Sequence, residues 1–376
     1  MFFMKICMAT DFHLSYRQYG LNERDEDFNM QFKKMIDEIV LEEPDIFLIL
    51  GDIFNTPYPK PISMKIYNDG INKLADNGIM CYGIIGNHTD LQRKDYYQID
   101  NLFENVQLIG NDYVAFDDVF ICGVDYHSKT RGIKDIIDCL YEKSHGFRVK
   151  IILLHQILRA DQEIGYDFDE NDLGLGRFDY VFLGHLHKKI VRYDDVTDTV
   201  YHYPGSLNSC NVVELLDEMD YGRGYTVFDT DSLALECKVV ESGRRFIQYN
   251  LTDDDLNDDF IMKVVESLRV YDVKPLVLFN IEGDDVRNIY DMCNKVNDYA
   301  LSVRYKIKPK TVEKKMAGEN GKVSLGPEMI RHMLMSSFDE EWKGDFAYEL
   351  YSLLSKNDLE SGKELADLMY EKHYKK

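Results

Sequence analysis

Five apolar runs in the first 190 residues each end in side chains able to hold a metal ion: MKICMAT before DFH, DIFLIL before GD, IMCYGII before GNH, VKIILL before His155, and YVFL before GHLH. A sixth run, VFICGV, has the same length and apolar character. Between the first two lies DEDFNMQFKKMIDEIVLEE, with Phe28, Phe32, Met35, Ile36, Ile39 and Val40 at helical spacing. Strand and helix therefore alternate, which predicts an α/β architecture. In such folds, residues at the carboxyl ends of strands converge on one crevice. The residues expected to meet are Asp11, His13, Asp52, Asn87, His88, His155, His185 and His187. Side chains at i and i+2 of a strand share a face, so His185 and His187 are expected to reach one point.

Two carboxylates, one amide and five histidines exceed what a single ion needs, so one carboxylate should bridge two ions. Oxygen and nitrogen donors without a thiolate suit manganese, iron or zinc better than calcium or a structural zinc. Two ions about 3.5–4 Å apart activate water and stabilise the attacking and leaving oxygens of a phosphoryl displacement. The expected reaction is phosphoester hydrolysis. Each motif alone is weak, since GD and GNH recur by chance and an apolar-flanked histidine is more often structural. Their order, each closing an apolar run, carries the reading.

The remaining sequence sets the surroundings. No apolar run approaches the roughly 20 residues of a membrane helix, and the first residues lack a signal-peptide pattern, so a cytoplasmic protein without membrane contact is expected. Seven cysteines without a CxxC pair read as reduced core residues. Gly51, Gly86 and Gly184, each just before a candidate ligand, are expected to permit tight strand-end turns. Of the 26 tyrosines, Tyr126 and Tyr203 are the candidates for stacking on bases. From 196 to 250 the pattern turns short and β-like (TVYHYPGS, YTVFDTD, LALECKVVES), as a second sheet layer of the same domain.

The domains are read as 1–250, then a small α/β unit at 251–308 opened by the acidic turn TDDDLNDD, then a basic linker at 309–326, then helices at 327–376. The net charge of -23 opposes simple adhesion to nucleic acid, but it is uneven. Residues 301–376 carry 14 basic against 13 acidic groups, and 304–322 carry seven against two. The terminal segment places Met329, Ile330, Met333 and Leu334 on one stripe, Trp342, Phe346, Leu350 and Leu353 on a second, and Leu359, Leu365, Leu368 and Met369 on a third. Such short helices bury little alone. They read as a module that docks in a partner's groove, with a bundle packed on the main domain as the alternative.

The order DxH, GD, GNH, H, GHxH resembles the calcineurin-like metallophosphoesterase superfamily, and ATDFHL, LILGDIF, IIGNH and FLGHLHK resemble the SbcD-type DNA double-strand-break repair nucleases. YHYPGSLN followed by YGRGYTVFDTD is similar to the segment that closes that family's nuclease domain. The resemblance spans nearly the whole chain and is strongest over 5–210; the compact length is most similar to phage-encoded subunits. It implies a four-layer α-β-β-α sandwich with a DNA-facing capping domain at 251–308. It also implies C-terminal helices that clasp the coiled-coil base of an SMC-like, SbcC-type ATPase, and a homodimer. It assigns Asp11, His13, Asp52 and His187 to one divalent ion and Asp52, Asn87, His155 and His185 to the other. Manganese leads as the metal, with magnesium as alternative. His88 becomes the catalytic group facing the scissile phosphate.

Two positions depart from that pattern. Thr89, with Asp90 after it, stands where an acidic residue usually follows the catalytic histidine, which leaves the partner of His88 open. Asn55 stands where His or Asp is common. Two other functions compete. A phosphatase acting on a non-DNA substrate would share the metals, but GDIFNTP lacks the arginine of the protein-phosphatase GDxxDRG motif. A non-catalytic repair scaffold would be expected to lack His88 or a ligand.

Overall fold

The computed structural model describes residues 4–88, 103–127, 132–211, 214, 222–252, 255–283, 289–308, 341–355 and 363, 365, 366, 368 and 369. Two six-stranded sheets make up the first part of the chain. The first contains β1 (Lys5–Ala9), β2 (Ile46–Leu50), β3 (Met80–Ile84) and β4 (Val106–Leu108), paired in parallel. The chain then crosses to the second sheet, with β5 (Asp112–Phe116), β6 (Val119–Val124), β7 (Val149–His155), β8 (Tyr180–Gly184), β9 (Ile190–Asp194) and β10 (Thr199–Tyr203). There β6, β7, β8 and β10 run parallel, flanked by antiparallel β5 and β9. Finally β11 (Gly224–Asp229) and β12 (Leu235–Val239) return to the first sheet, β11 lying antiparallel to β1.

This path differs from the expected second layer at 196–250. Only the TVYHY strand of that stretch joins the second sheet, whereas YTVFD and its successor complete the first. The physical reason is that the apolar runs after residue 110 bury both faces as fully as those before it, so nothing in their pattern marks the crossover.

Residue alternation assigns the layers. In β1 and β2, Ile6, Met8, Ile46, Leu48 and Leu50 face Ile121, Ile151, Leu153 and Phe182 of the opposite sheet. Their neighbours Cys7, Ala9, Phe47 and Ile49 pack instead on Phe32, Met35, Ile36 and Ile39 of helix α1 (Asn22–Glu42) and on Tyr67, Ile71 and Leu74 of α2 (Pro61–Asp76). On the far side, Phe120, Cys122, Ile152, Leu154, Val181 and Leu183 pack against Ile133, Ile137 and Leu140 of α3 (Ile133–Lys143). Four layers, α-β-β-α, result. Both sheets are covered on both faces, which is why their strands read as continuous apolar runs.

Cys7, Cys81, Cys122 and Cys293 are buried as expected. Cys139 is exposed on α3, and Cys210 and Cys237 are partly exposed, the last on the edge strand β12. Among the described residues no helix is long and apolar enough to cross a membrane.

A smaller three-stranded sheet follows, in the order β13 (Phe246–Thr252), β14 (Leu276–Glu282), β15 (Ser302–Lys308). Its helices are α5 (Asp258–Leu268) and α6 (Ile289–Asn297), the short α4 (Glu170–Leu173) having come earlier. The strand β13 begins before the acidic turn, so that turn lies within this sheet's sequence. By compactness the chain divides into Met1–Asn280 with Arg287–Lys306, and Ile281–Val286 with Ile307–Lys376. The second of these contains α7 (Glu341–Ser355), on which Trp342, Phe346, Leu350 and Leu353 are all half-buried. The linker at 309–326 and the stripe at 329–334 lie outside the described residues.

A buried ion cluster joins α1 to the residues that lead into β13. Asp27 accepts from Arg24 at 2.7 Å and from Arg244 at 2.6 and 3.0 Å, all three side chains being less than 10% exposed. Arg244 also donates to the Lys274 carbonyl, and Arg24 Nε donates to Gln18 at 2.7 Å. Removing the shared carboxylate leaves two buried guanidinium groups uncompensated. Asp27→Ala is expected to cost about 3–5 kcal/mol in urea unfolding, whereas Asp69→Ala, which loses only an exposed pair with Lys65, should barely move the midpoint.

Candidate metal centre

All eight expected residues meet at the carboxyl ends of β1, β2, β3, β7 and β8, so both sheets contribute. Two fully buried carboxylates organise the site. Asp11 Oδ2 accepts the His185 backbone N–H at 3.1 Å and lies 2.8 Å from the Thr10 hydroxyl. Asp52 Oδ1 accepts the His88 backbone N–H at 3.0 Å. Each carboxylate is thus tethered by the main chain of another site residue. The remaining oxygens, Asp11 Oδ1 and Asp52 Oδ2, are buried and accept no hydrogen bond.

Imidazoles surround those two oxygens. His187, His13 and His155 place Nε2 3.4, 3.7 and 3.9 Å from Asp11 Oδ1. Around Asp52 Oδ2, His155, His88 and His13 place Nε2 at 3.3, 3.8 and 4.0 Å. His13 and His187 bring their Nε2 atoms within 3.0 Å of each other, and His155 Nε2 lies 3.1 Å from Asn87 Oδ1. Buried acceptors without donors, ringed by nitrogen lone pairs at 3–4 Å, are a poor hydrogen-bonding arrangement. As a cage for cations the same arrangement is good. The donors of Asp52, His155 and His185 lie within 4.8 Å of one another, as do those of His13, Asp52 and His88, and those of His13, His187 and Cys210.

The histidine pair of GHLH behaves differently from the strand argument. β8 stops at Gly184, and His185 takes φ 79°. This left-handed residue sends the two rings apart, His185 to the Asp52–His155 side and His187 to the Asp11–His13 side. Asp11, His13 and Asp52 also have positive φ, at 53°, 46° and 49°. Such backbone costs about 1–3 kcal/mol per residue, a cost comparable to what one buried aliphatic or aromatic side chain contributes, about 1.5–3 kcal/mol. The sandwich core is large enough to hold all four.

The three glycines have a role the sequence did not reveal. Gly51 does occupy a left-handed turn, at φ 97°. Gly86 and Gly184 do not; they are needed because a Cβ would strike the site. At Gly86 it would lie 2.1 Å from Asp52 Oδ1, and at Gly184 2.2 Å from the Leu50 carbonyl and 2.5 Å from His155 Nδ1. The cradle that holds the carboxylates and rings is shaped by missing side chains.

Ring orientation is fixed from behind. His155 Nδ1 donates to the Leu50 carbonyl at 2.6 Å, leaving Nε2 for the centre. His88 Nδ1 donates to the Asn55 carbonyl at 2.7 Å. The partner of His88 is therefore main chain supplied by the segment after GD, and it does not depend on side-chain type at 55. Thr89 and Asp90 lie outside the described residues. His187 Nδ1 faces Glu214 Oε1 at 3.1 Å, and His185 Nε2 is 3.7 Å from Asp167 Oδ2. Neither Glu214 nor Asp167 closes an apolar run, so no pattern pointed to them. Tyr203 is excluded from base stacking, being buried with its hydroxyl donating to the Gln156 carbonyl and accepting from Leu158 N–H. Tyr126 sits edge-on to His185, with ring centres 5.5 Å apart.

Burial works against every charge here; the pairs overcome it for the two carboxylates and not for His13 and His185, which burial pushes down. Despite desolvation, the charges of His155 and His13 hold the Asp52 carboxyl below its usual range, and those of His187 and His155 do the same for Asp11. Burial, reinforced by the charge of His155, pushes His185 down to about 4, so its ring is neutral with a lone pair at physiological pH.

The fold and this donor set define a phosphoesterase. The family model described as calcineurin-like phosphoesterase matches residues 4–189. The chain as a whole is similar to the DNA double-strand break repair protein Mre11 of Methanocaldococcus jannaschii, 27% identical with 98% of each chain covered. It is 25% identical to the Mre11 protein of Methanococcus maripaludis, covering 95% of this chain and 97% of that protein. The SbcD subunit of the SbcCD nuclease of Staphylococcus epidermidis is 24% identical over 61% of this chain and 67% of its own.

Gly86→Ala is expected to displace Asp52 and weaken divalent-ion binding in a calorimetric titration. Gly243→Ala, whose new methyl would meet only Met30 Cε at 3.5 Å, should bind as the parent does.

Proposed function

We propose that this chain is a two-metal-dependent phosphodiesterase that cuts DNA in double-strand-break repair, working with an SMC-like ATPase. The observation that carries the reading is the pair of buried, half-satisfied carboxylates ringed by five histidines and Asn87. The similarity to Mre11 and to the SbcCD nuclease directs it to DNA.

Asp11, His13, Asp52 and His187 would hold one ion, and Asp52, Asn87, His155 and His185 the other. Both carboxylates lie near histidines of both groups, but Asp52 is the closer to His155, at 3.3 Å against 3.9 Å for Asp11, and it clusters with His13 and His88 as well as with His155 and His185, which supports it as the bridge. A pair of divalent ions there supplies an activated water at neutral pH and neutralises charge on the phosphoryl group. Nitrogen-rich donors with two carboxylates favour manganese over magnesium. The protein's own contribution is rigid placement of those donors and a proton-transfer group at the rim. His88 fits the latter: its side chain is 37% exposed, its Nδ1 is committed to Asn55, and its Nε2 is left to exchange a proton with the departing oxygen.

The small sheet and its helices, read as the capping domain, and the basic residues Arg304, Lys306 and Lys308 at alternate positions of β15 fit a DNA-facing role. The half-buried stripe of α7 supports a docking helix for the ATPase. A homodimer is part of the same proposal.

Digestion of linear duplex and single-stranded DNA with manganese, set beside a phosphopeptide, tests the substrate class. DNA should be cleaved and the phosphopeptide left intact. Asp52→Asn should abolish cleavage together with metal binding, whereas His88→Ala should keep both ions and lose about 10²–10⁴ in rate. Loss of metal in the latter would make His88 a ligand. Deleting 327–376 should leave hydrolysis of short single strands intact and abolish co-purification with the ATPase. Undiminished ATPase binding by the truncated chain would refute the docking role.

A further inference from the structure

His187 is gripped at ring and main chain by two side chains that lie outside the motifs, Glu214 and Arg223. Glu214 Oε1 stands 3.1 Å from its Nδ1. Arg223, a buried side chain, donates through Nη1 to the His187 carbonyl and to Ser206 Oγ at 3.0 Å. The two grips are joined, because Arg223 Nη2 donates to the Glu214 carbonyl at 2.7 Å. Glu214 is itself over-determined. Its Oε2 accepts the Cys210 N–H at 2.7 Å, its Oε1 also takes Asn211 Nδ2, and its own N–H donates to Asn211 Oδ1 at 3.0 Å.

This arrangement differs in kind from that of the neighbouring rings. His155 and His88 rest Nδ1 on neutral carbonyls, of Leu50 and Asn55. His187 rests on a carboxylate. A ring can give a lone pair from Nε2 only if Nδ1 holds the proton, and an acceptor-only group beside Nδ1 enforces that tautomer. An anionic acceptor also makes the opposite nitrogen a stronger donor. That nitrogen faces Asp11 Oδ1 at 3.4 Å and His13 Nε2 at 3.0 Å.

We infer that Glu214 is a positioning residue for the metal centre: its carboxylate fixes the proton of His187 on Nδ1 and thereby presents Nε2 to an ion shared with Asp11 and His13. The inference rests on the two-metal reading above and adds to it a residue outside the motifs. An amide at 214 carries no charge and could accept from only one of His187 Nδ1 and Cys210 N–H, so Glu214→Gln removes the anionic acceptor and sets the two donors in competition with little change of volume. Glu214→Asp keeps the charge.

The test is calorimetric titration of the full-length chain with manganese, beside thermal melting. In Glu214→Gln one of two sites should weaken about 10–100-fold while the other is unchanged, and Glu214→Asp should recover part of the loss. Wild-type affinity at both sites in Glu214→Gln would overturn the inference. So would equal weakening of both sites together with a lowered melting temperature, which marks a merely structural residue. Ring-¹⁵N-labelled histidine in the parent chain gives a measurement that no variant's folding can spoil: His187 should show its proton on Nδ1 and its metal-induced shift on Nε2, and the opposite tautomer would overturn the assignment. A parent chain that binds no divalent ion at all would instead defeat the two-metal reading, and this inference with it.

Discussion

The structure turns on two carboxylates that are buried without being satisfied. Asp11 and Asp52 each spend one oxygen on a backbone N–H from another site residue and keep the other for the centre. Leaving a buried acceptor unpaired costs on the order of 1–3 kcal/mol, more for a charged group. A fold tolerates that only where something else completes the arrangement. The imidazoles do so in part, as counter-charges; ions would do so fully. Placement of the remaining site residues follows from this, because any group tied to one carboxylate is positioned relative to the other.

Rigid placement has a backbone basis. Four site residues hold positive φ, and Gly86 and Gly184 give up side chains so that Asp52 and His155 can occupy their space. These features sit at the junctions between strands and the turns after them, where the sandwich core is continuous on both sides. The core supplies the rigidity and the junctions use it. His88, tethered through the carbonyl of Asn55, extends the same principle to the rim.

How much of this was legible in the sequence divides along physical lines. The apolar runs and the helix carrying Phe28, Phe32, Met35, Ile36 and Ile39 announced the α/β layering, because burial on two faces forbids polar interruptions. The site residues announced themselves by ending those runs. The crossover between sheets left no mark, since a strand buried on both faces reads the same in either sheet. Nor did the opposed directions of His185 and His187, which depend on one left-handed residue just past the strand. Glu214 and the Asn55 carbonyl were invisible for a different reason: they act through tertiary proximity, one as a side chain distant in sequence and the other through an atom every residue possesses.

The order of strands in the first sheet also governs how the molecule is made. β1, which leads directly to Asp11, lies between β2 and β11, and its pairing with β11 joins Lys5 to Asp229. Chains emerge from the ribosome amino end first and fold as whole domains. The earliest-made donors must therefore wait for His187, and β1 must wait for its second neighbour, until residue 229 has been synthesised. Strand order thus leaves β1, with the first two donors just beyond it, short of one neighbour for as long as the chain lacks β11.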